Sequence, residues 1–120
     1  MEKKAEYQIS SSVNEGILEV VLTGNAIGMT YEKMRNEVDA IIKANNAKKA
    51  IIDVRALKGR LEPTEIYRFA RNHHSVIYEI QAAVVDLPEN LHYMTAVKNA
   101  GLKFTWFIDI DAARDWLRSK

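Results

Sequence analysis

The sequence predicts an α/β domain: a five-stranded, mostly parallel sheet with four helices in the order ββαβαβαβα, its first strand an antiparallel edge. Three observations carry this. Short β-branched or aromatic runs recur at residues 17–23, 50–54, 80–85 and 104–108. Segments with apolar residues at helical spacing lie between and after them. Strands that alternate with helices imply right-handed crossovers and parallel pairing, with the helices largely on one side of the sheet.

The opening "YQISSSVNEGILEVVLTG" reads as a hairpin. Tyr7, Ile9 and Ser11 alternate with polar neighbours, and Asn14-Glu15-Gly16 supplies the turn, Gly16 being free to take a positive φ. Residues 17–23 are more uniformly apolar, so the second strand lies deeper. A loop is expected at Gly24-Asn25-Ala26-Ile27-Gly28. Thr30 suits the N-cap of a helix over 31–44, with Tyr31, Met34, Val38, Ile41 and Ile42 on its inner face. Asn45-Asn46 ends it.

"AIIDV" at 50–54 lacks alternation, as a central strand covered on both faces does. Pro63 fits the first turn of a second helix, which Ile66, Phe69, Ala70, His73 and Ile77 continue. The strand at 80–85 is followed by Asp86, and Pro88-Glu89-Asn90 leads into a third helix over 90–99, stopped at Ala100-Gly101. After the last strand, Asp109 caps a closing helix with Ile110, Ala113, Trp116 and Leu117 inward.

Residues 1–120 are read as one domain, long enough for a core without staples. The absence of cysteine excludes disulfides and thiolate chemistry and suits a reducing cytoplasm, the expected location. A net charge of +1 is far from that of a general nucleic-acid binder. "MEKKAEYQIS" has no apolar run after its lysines, so no signal peptide is expected, and no stretch approaches the roughly 20 apolar residues of a membrane span.

The chemically richest stretch is "AIIDVRALKGRLEPTEIYRF" at 50–69, where a strand hands over to a helix. Arg55, Lys58, Arg60 and the N–H groups of the following helix have the makings of an anion site. Glu62 and Glu65 oppose an anion there, and Asp53 is placed to pair with Arg55. Asp53, Asp86 and Asp109 follow or end successive strands and suggest carboxylates along one rim, although N-capping explains Asp109 equally well.

Other constellations are poorer. His73 and His74 point about 100° apart on a helix and His92 is remote, so no metal site is expected. Ser75 has no glycine elbow, Ser10-Ser11-Ser12 sits in a strand, and no glycine-rich phosphate loop exists. Tyr67, Phe69, Tyr78, Tyr93, Met94, Trp106 and Phe107 read as core or as the lining of an apolar pocket. The large side chains of the second and third helices also mark a candidate homodimer contact.

This element order and length, with the closing "FTWFIDIDAARDWL", resembles the STAS domains, and most of all their SpoIIAA-like relatives, a group that includes bacterial STAS/SEC14-like proteins. Members of that family that act as phospho-switches carry an aspartate at a strand end, then Asp-Ser before the next helix. Asp53 matches the first aspartate, but Leu61 and Glu62 stand where Asp-Ser is expected. The phospho-acceptor is therefore missing. Glu62 is either a helix-terminal acid or an imitation of a permanent phosphate, with about half its charge. Thr64 is a nearby hydroxyl in a different column. The resemblance implies a non-catalytic regulatory module that needs no cofactor and binds a protein; the binding-loop candidates in this sequence are Asp53, Arg55, Lys58, Arg60, Glu62 and Thr64, the three basic residues standing where the family usually has small or apolar ones. The alternative is a carrier of a lipid or other apolar ligand, which calls for a cavity of some 300 Å³ or more.

Overall fold

The computed structural model describes residues 7–26, 30–59, 62, 64–65, 67–68, 76–99 and 105–120. Strand β1 (Tyr7–Asn14) and strand β2 (Ile17–Asn25) form an antiparallel hairpin. Glu15 and Gly16 both take positive φ, +54° and +78°. Two left-handed residues in a two-residue turn match the twist of the flanking strands. Helix α1 (Thr30–Ala44) crosses over to strand β3 (Lys49–Lys58), which lies parallel to β2. Strand β4 (Gln81–Val85), helix α2 (Leu91–Asn99), strand β5 (Thr105–Phe107) and helix α3 (Ile110–Arg118) follow in chain order. The sheet order is β1-β2-β3-β4-β5.

Alternation splits each central strand between two cores. Leu18, Val20 and Leu22 of β2, with Ala50 and Ile52 of β3, pack under Met34, Val38 and Ile42 of α1. Ile17, Ile51, Ala83 and Val85 point the other way and pack under Ala113 and Leu117 of α3. Burial of each Val, Leu or Ile is worth roughly 1.5–3 kcal/mol. Double-sided burial is why 50–54 shows no alternation in polarity. Helix α1 ends as its asparagines suggest: Asn46 takes φ +48°, its N–H donates to the Lys43 carbonyl, and the Ala47 N–H donates to the Ile42 carbonyl. That is the paired bonding of a helix closed by a left-handed residue.

Several expectations are corrected. The helices do not share one side: α1 and the 3₁₀ turn Val76–Glu79 pack on one face, and α3 covers the other. The handedness rule binds only crossovers between parallel strands, and α3 follows the last strand, so nothing ties it to that face. Three α-helices are defined among the described residues rather than four, and the order differs accordingly. Of the expected second helix, Thr64, Glu65, Tyr67 and Arg68 are helical. Ile66, Phe69, Ala70 and His73 lie outside the described residues. Its expected end at Ile77 is instead a 3₁₀ turn, where consecutive β-branched Val76 and Ile77 disfavour a further α-helical turn.

Strands β2 and β3 also outlast their expected ends. Gly24 and Asn25 belong to β2, and β3 continues to Lys58. The pairing shifts between Val21↔Asp53 and Thr23↔Ala56, so β3 carries one extra residue there, a β-bulge. The Ala26 N–H then donates to the Lys58 carbonyl at 2.8 Å. Asp109 caps α3 as expected, its carboxylate accepting from the Asp111 N–H at 3.0 Å.

Candidate functional site

The candidate site lies at the carboxyl edge of β3. Pairing with β4 runs only from Lys49↔Gln81 to Asp53↔Val85. Asp53 is therefore the last β3 residue with strand partners on both sides. Beyond it β3 pairs with β2 alone, through Ala56, Leu57 and Lys58, and this end of β3 extends past the last residue of β4. Arg55 and Lys58, expected in a loop, stand on this extension of β3.

Asp53 is 7% exposed and faces the α3 side of the sheet, as Ile51 does. Arg55 folds back over it from two residues on. Its Nε donates to Oδ1 at 3.0 Å and its Nη2 to Oδ2 at 2.8 Å, while the Arg55 backbone N–H donates to Oδ1 at 3.2 Å. That N–H lies within the bulge, where the ladder is interrupted, and the carboxylate gives it an acceptor. Burial pushes the Asp53 carboxyl up, but the Arg55 bonds and charge, aided by Arg114, outweigh it and hold it below the usual carboxylate range. Arg55 in turn is held protonated chiefly by Asp53, with Asp109 contributing through space.

A second half-buried pair adjoins the first. Glu19 of β2 is 8% exposed, and Arg114 of α3 grips it with Nε and Nη2, both at 2.8 Å. Arg114 also donates to Asp111 at 3.1 Å. Arg114 acts electrostatically on both Asp53 and Arg55, so the two pairs form one network of alternating charge on the α3 face. Neither Glu19 nor Arg114 was singled out from the sequence.

The remaining candidates separate. Lys58, Glu62 and Thr64 are all exposed, and Thr64 already belongs to the helical stretch. Arg60 lies outside the described residues, as do His73, His74 and Ser75. Asp86 is buried, and its Oδ1 accepts from the Leu87 N–H and from Asn90 Nδ2, which ties down the turn into α2. Asp109 serves α3. The three rim aspartates are thus each engaged locally rather than converging on a vacant centre. The sequential strand order has no point where the chain reverses direction across the sheet, so the crevice that opens in doubly wound folds is not built. A cavity beside Asp86, Asn90, Trp106 and Phe107 holds only about 20 Å³. A hollow of about 440 Å³ lies open on the outer side of α1, lined by Glu32, Lys33, Asn36, Glu37 and Ala40.

No family model and no curated protein matches the chain. Its fold is similar to that of an anti-sigma factor antagonist from Mycobacterium paratuberculosis, with a TM-score of 0.65 at 15% identity over 98% of this chain and 99% of that one. It is also similar to an uncharacterized protein of the DUF3478 family with a SpoIIAA-like fold from Shewanella loihica, with a TM-score of 0.60 at 20% identity over 98% of both chains. At these identities the likeness establishes the fold: α/β, SpoIIAA-like, with a five-stranded mixed sheet. No described helix is long and apolar enough to cross a membrane.

Proposed function

We propose that this chain is a non-catalytic regulatory module of the STAS type, which binds a protein partner through the end of β3 that extends past β4 and the segment after it, in the cytoplasm. The observation that carries the reading is the saturation of Asp53. A general acid or base at the rim needs a carboxyl with a pKa near the working pH and a free oxygen. Asp53 has three donors on it from Arg55, and its pKa is moved down, away from that range. What the edge offers instead is exposed charge, at Lys58 and Glu62, beside the Thr64 hydroxyl. Charges of opposite sign on a projecting rim suit selection and orientation of a protein partner. The structural likeness to an anti-sigma factor antagonist supports the same class of function.

The test exchanges the charges. Wild type and the Lys58→Glu/Glu62→Lys variant are used as baits in an extract of the source organism, and a partner retained by wild type is expected to be lost by the exchange. A partner held equally by both would overturn the assignment of the docking edge. Glu62→Ser separates the two roles of Glu62. If the glutamate imitates a phosphate, serine weakens the partner and phosphoserine restores it; a helix-terminal acid leaves binding unchanged.

The apolar-carrier alternative calls for an enclosed space of about 300 Å³ or more. Among the described residues, a hollow of comparable size is open and lined by charged and amide side chains, which suits a lipid tail poorly.

A further inference from the structure

The outer edge of β1 is the surface the proposed regulatory role leaves unused. β1 pairs only with β2, and among the described residues no strand lies on its other side. An open edge is a template for pairing with another chain, and proteins ordinarily guard it with charge, proline, a bulge or brevity. The opposite edge is guarded by brevity, since β5 is three residues long. β1 has none of these defences. It runs for eight residues, "YQISSSVN", with no charge and no proline, and its register with β2 is unbroken through all eight pairs. Val13, near its end, is 57% exposed.

The phase of the edge is set by the turn. Asn14 and Ile17 close a two-residue loop, so they exchange both backbone hydrogen bonds, and Ser12, Ser10 and Gln8 follow in the same phase. The N–H and C=O groups of Val13, Ser11, Ile9 and Tyr7 therefore point outward. The stretch Ile9-Ser10-Ser11-Ser12-Val13 is nearly palindromic about Ser11. A two-fold axis through Ser11 places Ser11 opposite itself and Ile9 opposite Val13, and every one of these is an outward-bonding position. Exposed Val13 then packs against the partner's Ile9, serines meet serines, and no like charges oppose one another.

From this match of phase, palindrome and unguarded edge, we infer that β1 pairs antiparallel with β1 of a second copy about a two-fold axis at Ser11, joining two five-stranded sheets into one. The contact is a single strand wide, well below the roughly 2,000 Å² or more of a permanent interface, so the dimer forms as protein concentration rises.

Sedimentation of the full chain from about 1 μM to about 1 mM, which spans weak association, tests this. The mass is expected to rise from 13.7 kDa toward twice that value. Ser11→Pro removes an N–H that β2 does not use, and Val13→Lys places a charge at the edge. Each should hold the chain at 13.7 kDa throughout while leaving circular dichroism unchanged. Should the proline disturb the hairpin, the exposed lysine still decides. The chain has no cysteine, so Ser11→Cys reports register: paired Cα atoms about 5.5 Å apart suit a disulfide, and oxidation should give a covalent dimer. Val13→Cys should not, because it faces Ile9. A constant monomer mass, a dimer that survives both Ser11→Pro and Val13→Lys, or a crosslink at Val13→Cys without one at Ser11→Cys would overturn the inference.

Discussion

Replacing Arg55 by methionine keeps the apolar stem but removes the fork that holds Asp53. Breaking a fully buried pair by deleting one partner costs about 3–5 kcal/mol, because the other charge is stranded. Here the Asp53 side chain is 10% exposed but that of Arg55 is 38% exposed, so water reaches the carboxylate from the side the guanidinium leaves. About 2 kcal/mol is therefore expected at neutral pH, or about 8 °C in Tm for a domain of this size. The pH dependence is more diagnostic than the magnitude. In the wild type the Asp53 carboxyl lies below its unfolded value, so its contribution is present above about pH 4 and is lost as pH falls through the folded value. In the variant, burial still pushes the carboxyl up and the side-chain bonds that opposed it are gone. The stability gap between the two proteins should be widest near neutral pH and narrow below about pH 4. Urea denaturation followed by tryptophan fluorescence at about pH 7 and about pH 3.5 measures this. A gap equal at both pH values, or smaller than about 0.5 kcal/mol at neutrality, would refute the reasoning.

The same logic separates two Arg–Glu pairs that both join α3 to the β1–β2 hairpin. Arg114→Met strands buried Glu19 and should cost about 2 kcal/mol, whereas Arg118→Met breaks an exposed pair with Glu15 and should leave Tm unchanged; equal effects would contradict the burial argument. The Tyr7 hydroxyl donates to Glu37 at 2.6 Å, and burial together with that carboxylate pushes its pKa up to about 12. A raised folded value means this contribution holds below about pH 10 and is lost as pH rises toward 12. By phenolate absorbance, Tyr7 should titrate late, and Glu37→Gln should bring it back toward 10. Leu117→Ala hollows the smaller core beneath α3 and should cost about 3 kcal/mol by denaturant melting; a loss under about 1 kcal/mol would mean that face is not packed as described.

Much of the fold was legible because its signals are local. The Glu15-Gly16 turn, the asparagine stop after α1 and the Asp109 cap each depend on a few adjacent residues, and each is seen. The side taken by α3 is not a local property, because it depends on which sheet face remains bare. The end of β3 was missed because the bulge breaks the alternation. Val54 and Leu57 both pack toward α1 although they are three apart, and the flanking Arg55 and Lys58 imitate a loop. The Asp53–Arg55 pair was visible as opposite charges two residues apart, although Arg55 was expected in a loop and stands in β3. Glu19 and Arg114 are 95 residues apart, and no local pattern pairs them. Two hints existed: a glutamate inside the apolar run "ILEVV", and an arginine four residues after Ile110, hence on the inner face of a helix.

The most direct measurement of the docking role is site-specific photocrosslinking. A photoreactive residue is placed at Glu62 on the proposed edge or at Ala112 on the exposed side of α3, and each protein is irradiated in an extract of the source organism. Capture of a distinct protein from position 62, absent from position 112 and abolished by Lys58→Glu, is the expected result. Capture from 112 alone, or the same adducts from both positions, would place the working surface elsewhere.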